Sequence, residues 1–140
     1  KYADGNVAKK LSDAIDYPQK NLSAVCEMKR QQPKDVFADG LIKSGVAIRH
    51  LILPNLTDQS IKILDIIADN FGVETYVSLM AQYEPFFKAE RMAEINRKIT
   101  QREYDRVVNY AIQKGFANAF VQDLSAADEK FVPEFNLQGV

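Results

Sequence analysis

The run Val46-Ala47-Ile48-Arg49-His50-Leu51-Ile52-Leu53-Pro54-Asn55 leads into Thr57 to Gly72 and then Thr75-Tyr76-Val77-Ser78-Leu79-Met80-Ala81-Gln82-Tyr83. The first segment is apolar on both alternating faces, which suits a strand covered on two sides, as in a parallel sheet or barrel. Pro54-Asn55 stops it. Ile61, Leu64, Ile67, Ala68 and Phe71 recur at three- and four-residue steps and predict an amphipathic helix, capped by Thr57 and ended by Gly72. The third segment predicts a second strand. Strand, helix, strand is a βαβ unit with a right-handed crossover.

Outward from that unit, Asp4-Gly5-Asn6 reads as turn chemistry, with Lys1 to Gly5 a strand end or βα loop. A short helix is expected from Val7 to about Asp13, capped by Asn6, with Val7 and Leu11 inward. Pro18 opens a longer helix whose apolar side is Leu22, Val25, Cys26 and Met28, ending by Pro33. Cys26 reads there as a buried small hydrophobe. Val36-Phe37 and Leu41-Ile42 flank Asp39-Gly40, a hairpin signal. Past Tyr83, Glu84 to Lys98 is a long loop at the carboxyl end of a parallel strand, where substrate loops and lids concentrate. Thr100 and Glu103 form a capping box, and Tyr104, Val107, Val108 and Ala111 carry an inward face to Gly115. Ala119 to Gln122 is a last short strand, and the tail from Ser125 to Val140 is spaced to pack down. Strands alternating with helices predict an α/β fold with parallel strands and crossover helices.

Composition narrows the function classes. The 140 residues form one domain, 46% hydrophobic and 26% charged, with a net charge of −1. That balance makes no electrostatic case for nucleic acid or an anionic membrane. No apolar run approaches the roughly 18 residues of a spanning helix. One cysteine excludes an internal disulfide and makes a reducing cytoplasm the default. The chain opens at Lys1 without an initiator Met, as a fragment or a processed chain would.

The common short signatures of phosphate, zinc or nucleophile sites are absent. Polar residues inside strands remain. Alternation places Arg49 with Ala47, Leu51 and Leu53, and His50 with Val46, Ile48 and Ile52. A guanidinium inside a buried strand needs an internal acidic partner or an anionic ligand, since stranding it costs several kcal/mol. Both options stay open. Ser78, Met80 and Gln82 share a face of the second strand, with Gln82-Tyr83 at its carboxyl end, where parallel sheets bind ligands. Ser78 and Gln82 would equally serve to satisfy backbone groups.

Ile48 to Pro54, Tyr76 to Tyr83 and Glu94-Ile95-Asn96-Arg97-Lys98-Ile99-Thr100 together resemble the C-terminal half of the radical S-adenosylmethionine superfamily, in its pyruvate formate-lyase activating enzyme-like branch. The likeness runs from Lys1-Tyr2, similar to the end of a fourth barrel strand, to about Phe135. It implies the C-terminal portion of a partial (βα)6 TIM-type barrel, with Val46–Leu53 as fifth strand and Thr75–Tyr83 as sixth. It further implies an oxidoreductase parent in which a [4Fe-4S] cluster cleaves S-adenosylmethionine to a radical that abstracts hydrogen. In activating enzymes the target is a glycine of a partner protein. By the resemblance Arg49 helps hold S-adenosylmethionine, Gln82 and Tyr83 line its site with Ser78, and Lys1 matches a fourth-strand lysine. The CxxxCxxC cluster motif is not in this chain, and Cys26 cannot replace it. The fragment is therefore expected to bind no stable cluster, to be inactive alone and to self-associate through an unpaired sheet edge. The alternative is a non-catalytic α/β module with Arg49 internally paired and the 84–98 loop binding a partner protein.

Overall fold

Both predicted strands pair side by side and parallel, joined through the predicted helix. The computed structural model describes residues 1–122. Its elements are α1 (Gly5–Ser12), α2 (Tyr17–Gln31), β1 (Val36–Ala38), β2 (Leu41–Ser44), β3 (Ala47–Leu51), α3 (Thr57–Phe71), β4 (Tyr76–Met80), a 3₁₀ turn (Phe87–Arg91), α4 (Gln101–Lys114) and β5 (Ala119–Val121). The order β3-β4-β5 forms a three-stranded sheet, parallel throughout, and β1-β2 a separate antiparallel hairpin. The fold is α/β. The expected packing of Ser125 to Val140 falls outside the described residues.

One face of the sheet is covered. Ile48 and Ile52 of the β3 segment and Val77, Leu79 and Ala81 of the β4 segment pack with Leu64 and Ile67 of α3 and with Tyr104, Val107 and Ala111 of α4. Leu64, Val77, Leu79 and Val107 are fully buried, and each contributes on the order of 1.5–3 kcal/mol by burial. The Tyr104 hydroxyl donates to the Leu79 carbonyl (3.0 Å) and accepts from the Gln122 amide (2.7 Å), joining α4 to β4 and to the end of β5. On the other face, Ala47, Arg49 and Phe120 are exposed while Leu51, Ser78 and Met80 are half-buried. The hairpin approaches that face, where Phe37 meets Tyr76 at 5.4 Å and Tyr76 stacks on Phe120 at 6.1 Å, and Leu41 and Ile42 line a groove with Ala47.

Local chemistry explains the element boundaries. Asp39 (φ 54°) and Gly40 (φ 73°) both take positive φ, as a two-residue hairpin turn requires. Thr100 and Glu103 form the full capping box of α4, and Gly115 ends that helix at φ 94°. Two caps differ from expectation. Asp4, not Asn6, caps α1, its carboxylate accepting from the amides of Asn6 (2.8 Å) and Val7 (3.1 Å). An Asp one turn before the second free amide reaches both orphan donors, so the helix begins at Gly5. Leu56 occupies the N-cap of α3, and the Thr57 hydroxyl instead accepts from Arg106 at 2.5 Å.

Cys26 is exposed, contrary to the expected burial. The inward stripe of α2 runs through Pro18, Leu22, Val25 and Lys29, all half-buried. Cys26 lies about 100° around the helix from Val25 and so leaves that stripe. No residue of α2 is fully buried.

Candidate functional site

The carboxyl ends of β3 and β4 open onto the uncovered face. Arg49 stands directly opposite Ser78 in the parallel register, with Leu51 opposite Met80 beyond them. The guanidinium is exposed and has no hydrogen bond or ion pair among the described residues. The strand's two-sided apolar pattern predicted a buried arginine. Here α3 and α4 pack on the other face, while α1 reaches Arg49's side only at Leu51 and Leu53, so Arg49 itself projects into the open and is exposed.

Lys1 comes to the same place. A groove of about 210 Å³ runs beside β3, lined by Lys1, Tyr2, Tyr17, Arg49 and His50 among others. The Ala3 and Asp4 amides both donate to the Gln59 carboxamide oxygen at 3.0 Å, which fixes the segment after Lys1 against α3. Gln82 lies past the end of β4, at the centre of the turn closed by the Tyr83 amide, and is half-buried. The Tyr83 amide donates to the Ala81 carbonyl at 2.8 Å, and the Tyr83 ring joins Tyr2, Leu51, Leu53 and Leu56. The Tyr83 hydroxyl is buried without a partner, and burial raises its pKa above the ordinary value. Of the five sequence-derived site residues, Arg49 stands opposite Ser78 in the strand register and shares a groove with Lys1, Gln82 lies past the end of β4, and Tyr83 belongs to the neighbouring aromatic cluster.

His50 is the residue whose setting the sequence did not convey. It is 2% exposed on the helix-covered face, and its Nε2 has no partner among the described residues. Burial pushes its pKa down to about 3, so the imidazole is neutral through the ordinary pH range. The only sequence signal was its alternation with Val46, Ile48 and Ile52. Among the described residues this region thus offers the Arg49 guanidinium beside the Ser78 hydroxyl, with Lys1 across the groove. Such a set recognises an anion through charge-assisted hydrogen bonds.

Among the described residues no set of three or more His, Cys, Asp or Glu side chains could hold a metal ion. The one cysteine, on α2, lies apart from the open face and cannot supply the thiolates of an iron–sulfur cluster. The residues present therefore do not fit that group. They do fit a carboxylate-bearing small molecule, through Arg49. No helix among the described residues is long and apolar enough to cross a membrane.

Comparison with known proteins adds one relative. An uncharacterised protein of the archaeon Methanocaldococcus jannaschii is 39% identical over 67 residues, which is 47% of this chain and 20% of that protein. The chain thus matches about a fifth of that relative's length. No family profile matches the chain, and no solved structure matches it.

Proposed function

We propose that this chain is the C-terminal portion of a radical S-adenosylmethionine enzyme, of the pyruvate formate-lyase activating type, and forms one wall of its cofactor site. The observation that carries the reading is Arg49: an exposed guanidinium beside Ser78 in the middle of two parallel strands, with no partner among the described residues. In this reading Arg49 holds the carboxylate of S-adenosylmethionine through both arms of its fork, with Ser78 and Gln82 as neutral hydrogen-bonding neighbours. Bound S-adenosylmethionine supplies, on reduction, the radical that abstracts hydrogen from substrate. The reading requires that the thiolates for such a cluster come from residues outside this chain, since its one cysteine could not hold it. The open face is then covered by the remaining strands of a partial (βα)6 barrel, and the two-sided apolar pattern of β3 supports that completion. A cytoplasmic setting and a glycyl-radical protein as substrate belong to the same proposal.

Reduction of the full polypeptide with dithionite, in the presence of S-adenosylmethionine, tests it. The expected product is 5′-deoxyadenosine, and its absence from a cluster-loaded, folded preparation would refute the reading. A second reading, a non-catalytic interaction module, is favoured by Phe86 and Phe87, which are 46% and 80% exposed on the 84–98 segment. It also called for an internal partner for Arg49, and the described residues provide none.

A further inference from the structure

The connections that leave the carboxyl ends of β3 and β4 are tied to each other by one side chain. Asn55 follows β3 and has φ 60°, a left-handed backbone that asparagine tolerates better than most residues. Each of its polar groups is committed to a different partner. Its amide donates to Glu103 Oε1 at 2.7 Å, its Nδ2 to the Glu94 carbonyl at 2.6 Å, and its Oδ1 accepts from Arg97 Nη2 at 2.8 Å. Arg97 in turn grips both carboxylate oxygens of Glu103 at 2.8 Å, while Glu103 completes the cap of α4. Glu94 is paired with Lys10 of α1, and Lys98 with Glu84 at 2.5 Å.

Between these ties the segment carries Phe87, 80% exposed with φ 53°. A non-glycine residue at positive φ persists where its surroundings over-determine it, and such strain gathers at ligand clamps and switches. An exposed phenylalanine draws no burial energy in return. The segment springs from Gln82-Tyr83, past the end of the strand that holds Ser78. We infer that Asn55 is a positioning residue: it latches the 84–98 segment at the rim of the open face and so governs how long a ligand stays there. The latch itself stands on the geometry above, and the effect on ligand residence rests on the reading of the Arg49 face as a binding site.

Asn55→Gly separates the parts. Glycine keeps the positive φ and the amide bond to Glu103 and deletes both side-chain ties, leaving the α4 cap intact. Amide hydrogen exchange on this chain should quicken about tenfold across residues 85–96, with the core amides of α3 and α4 unchanged. Arg97→Met should give the same local pattern. Unaltered exchange in the segment, or equal acceleration along α4, overturns the latch. In the full polypeptide, S-adenosylmethionine should dissociate about tenfold faster from Asn55→Gly than from the parent. A loosened segment with an unchanged dissociation rate overturns the residence role. If the parent itself binds no S-adenosylmethionine, the reading of the face falls, and the exchange pattern alone decides the latch.

Discussion

Arg49 and His50 are neighbours with opposite fates, and strand alternation separated them before any coordinates did. It put Arg49 with Ala47 and Leu51, and His50 with Ile48 and Ile52, and the structure keeps both sets. Alternation does not say which face helices cover, so the arginine expected to be buried is exposed. The histidine took its place inside. Because the folded pKa of His50 lies near 3, below its ordinary 6.5, the unfolded chain binds the proton first as pH falls. The contribution of His50 to stability is therefore complete above about pH 6.5 and drains away toward pH 3, at up to about 1.4 kcal/mol per pH unit. His50→Gln should flatten the urea-midpoint profile between pH 6.5 and 5 relative to the parent. Parallel profiles would show that the buried imidazole is not what titrates. Carboxylates held low by partners, such as Asp65 beside Lys114 and Tyr110, act lower on the scale and leave that window clear.

Elements defined by short-range chemistry were the most legible. The Asp39-Gly40 turn and the Thr100–Glu103 box each name their own geometry, since positive φ and paired orphan amides are local demands. Contacts made at long range were not legible. Thr57 has the right hydroxyl for a cap, but Arg106 from α4 claims it. Cys26 and Met28 sat near an apolar stripe, yet α2 packs too lightly to cover them, and Leu22 and Val25 line a groove of about 300 Å³ instead. Tyr104 looked like one more inward residue of α4. Its hydroxyl joins two strands, so Tyr104→Phe should cost about 1–3 kcal/mol by leaving the Leu79 carbonyl and the Gln122 amide short of a partner. Denaturant unfolding measures it, and a change below a few tenths would mean that solvent serves those groups equally well.

At the scale of the whole molecule, the parallel sheet was readable because both its strands are apolar runs joined by an amphipathic helix. Which face the helices leave exposed was not readable, because alternation alone does not say which side they pack on. The exposed Phe120 lies on that face, and the exposed Phe37, Leu41 and Ile42 lie on the hairpin beside it. Exposed apolar surface of this kind drives association, so the isolated chain should elute as an oligomer by light scattering. A monodisperse monomer would argue that the face needs no cover. Anaerobic reconstitution of the isolated chain with iron and sulfide should leave no [4Fe-4S] absorption after desalting, since one thiolate cannot hold four irons. The central claim is that Arg49 holds the cofactor's carboxylate, and calorimetric titration of S-adenosylmethionine into the reconstituted full polypeptide tests it most directly. Arg49→Ala should weaken binding by about 1–3 kcal/mol with the melting temperature little changed, and Arg49→Lys should recover only part of the loss. Unchanged affinity together with a large fall in melting temperature would make Arg49 a structural residue and contradict the account.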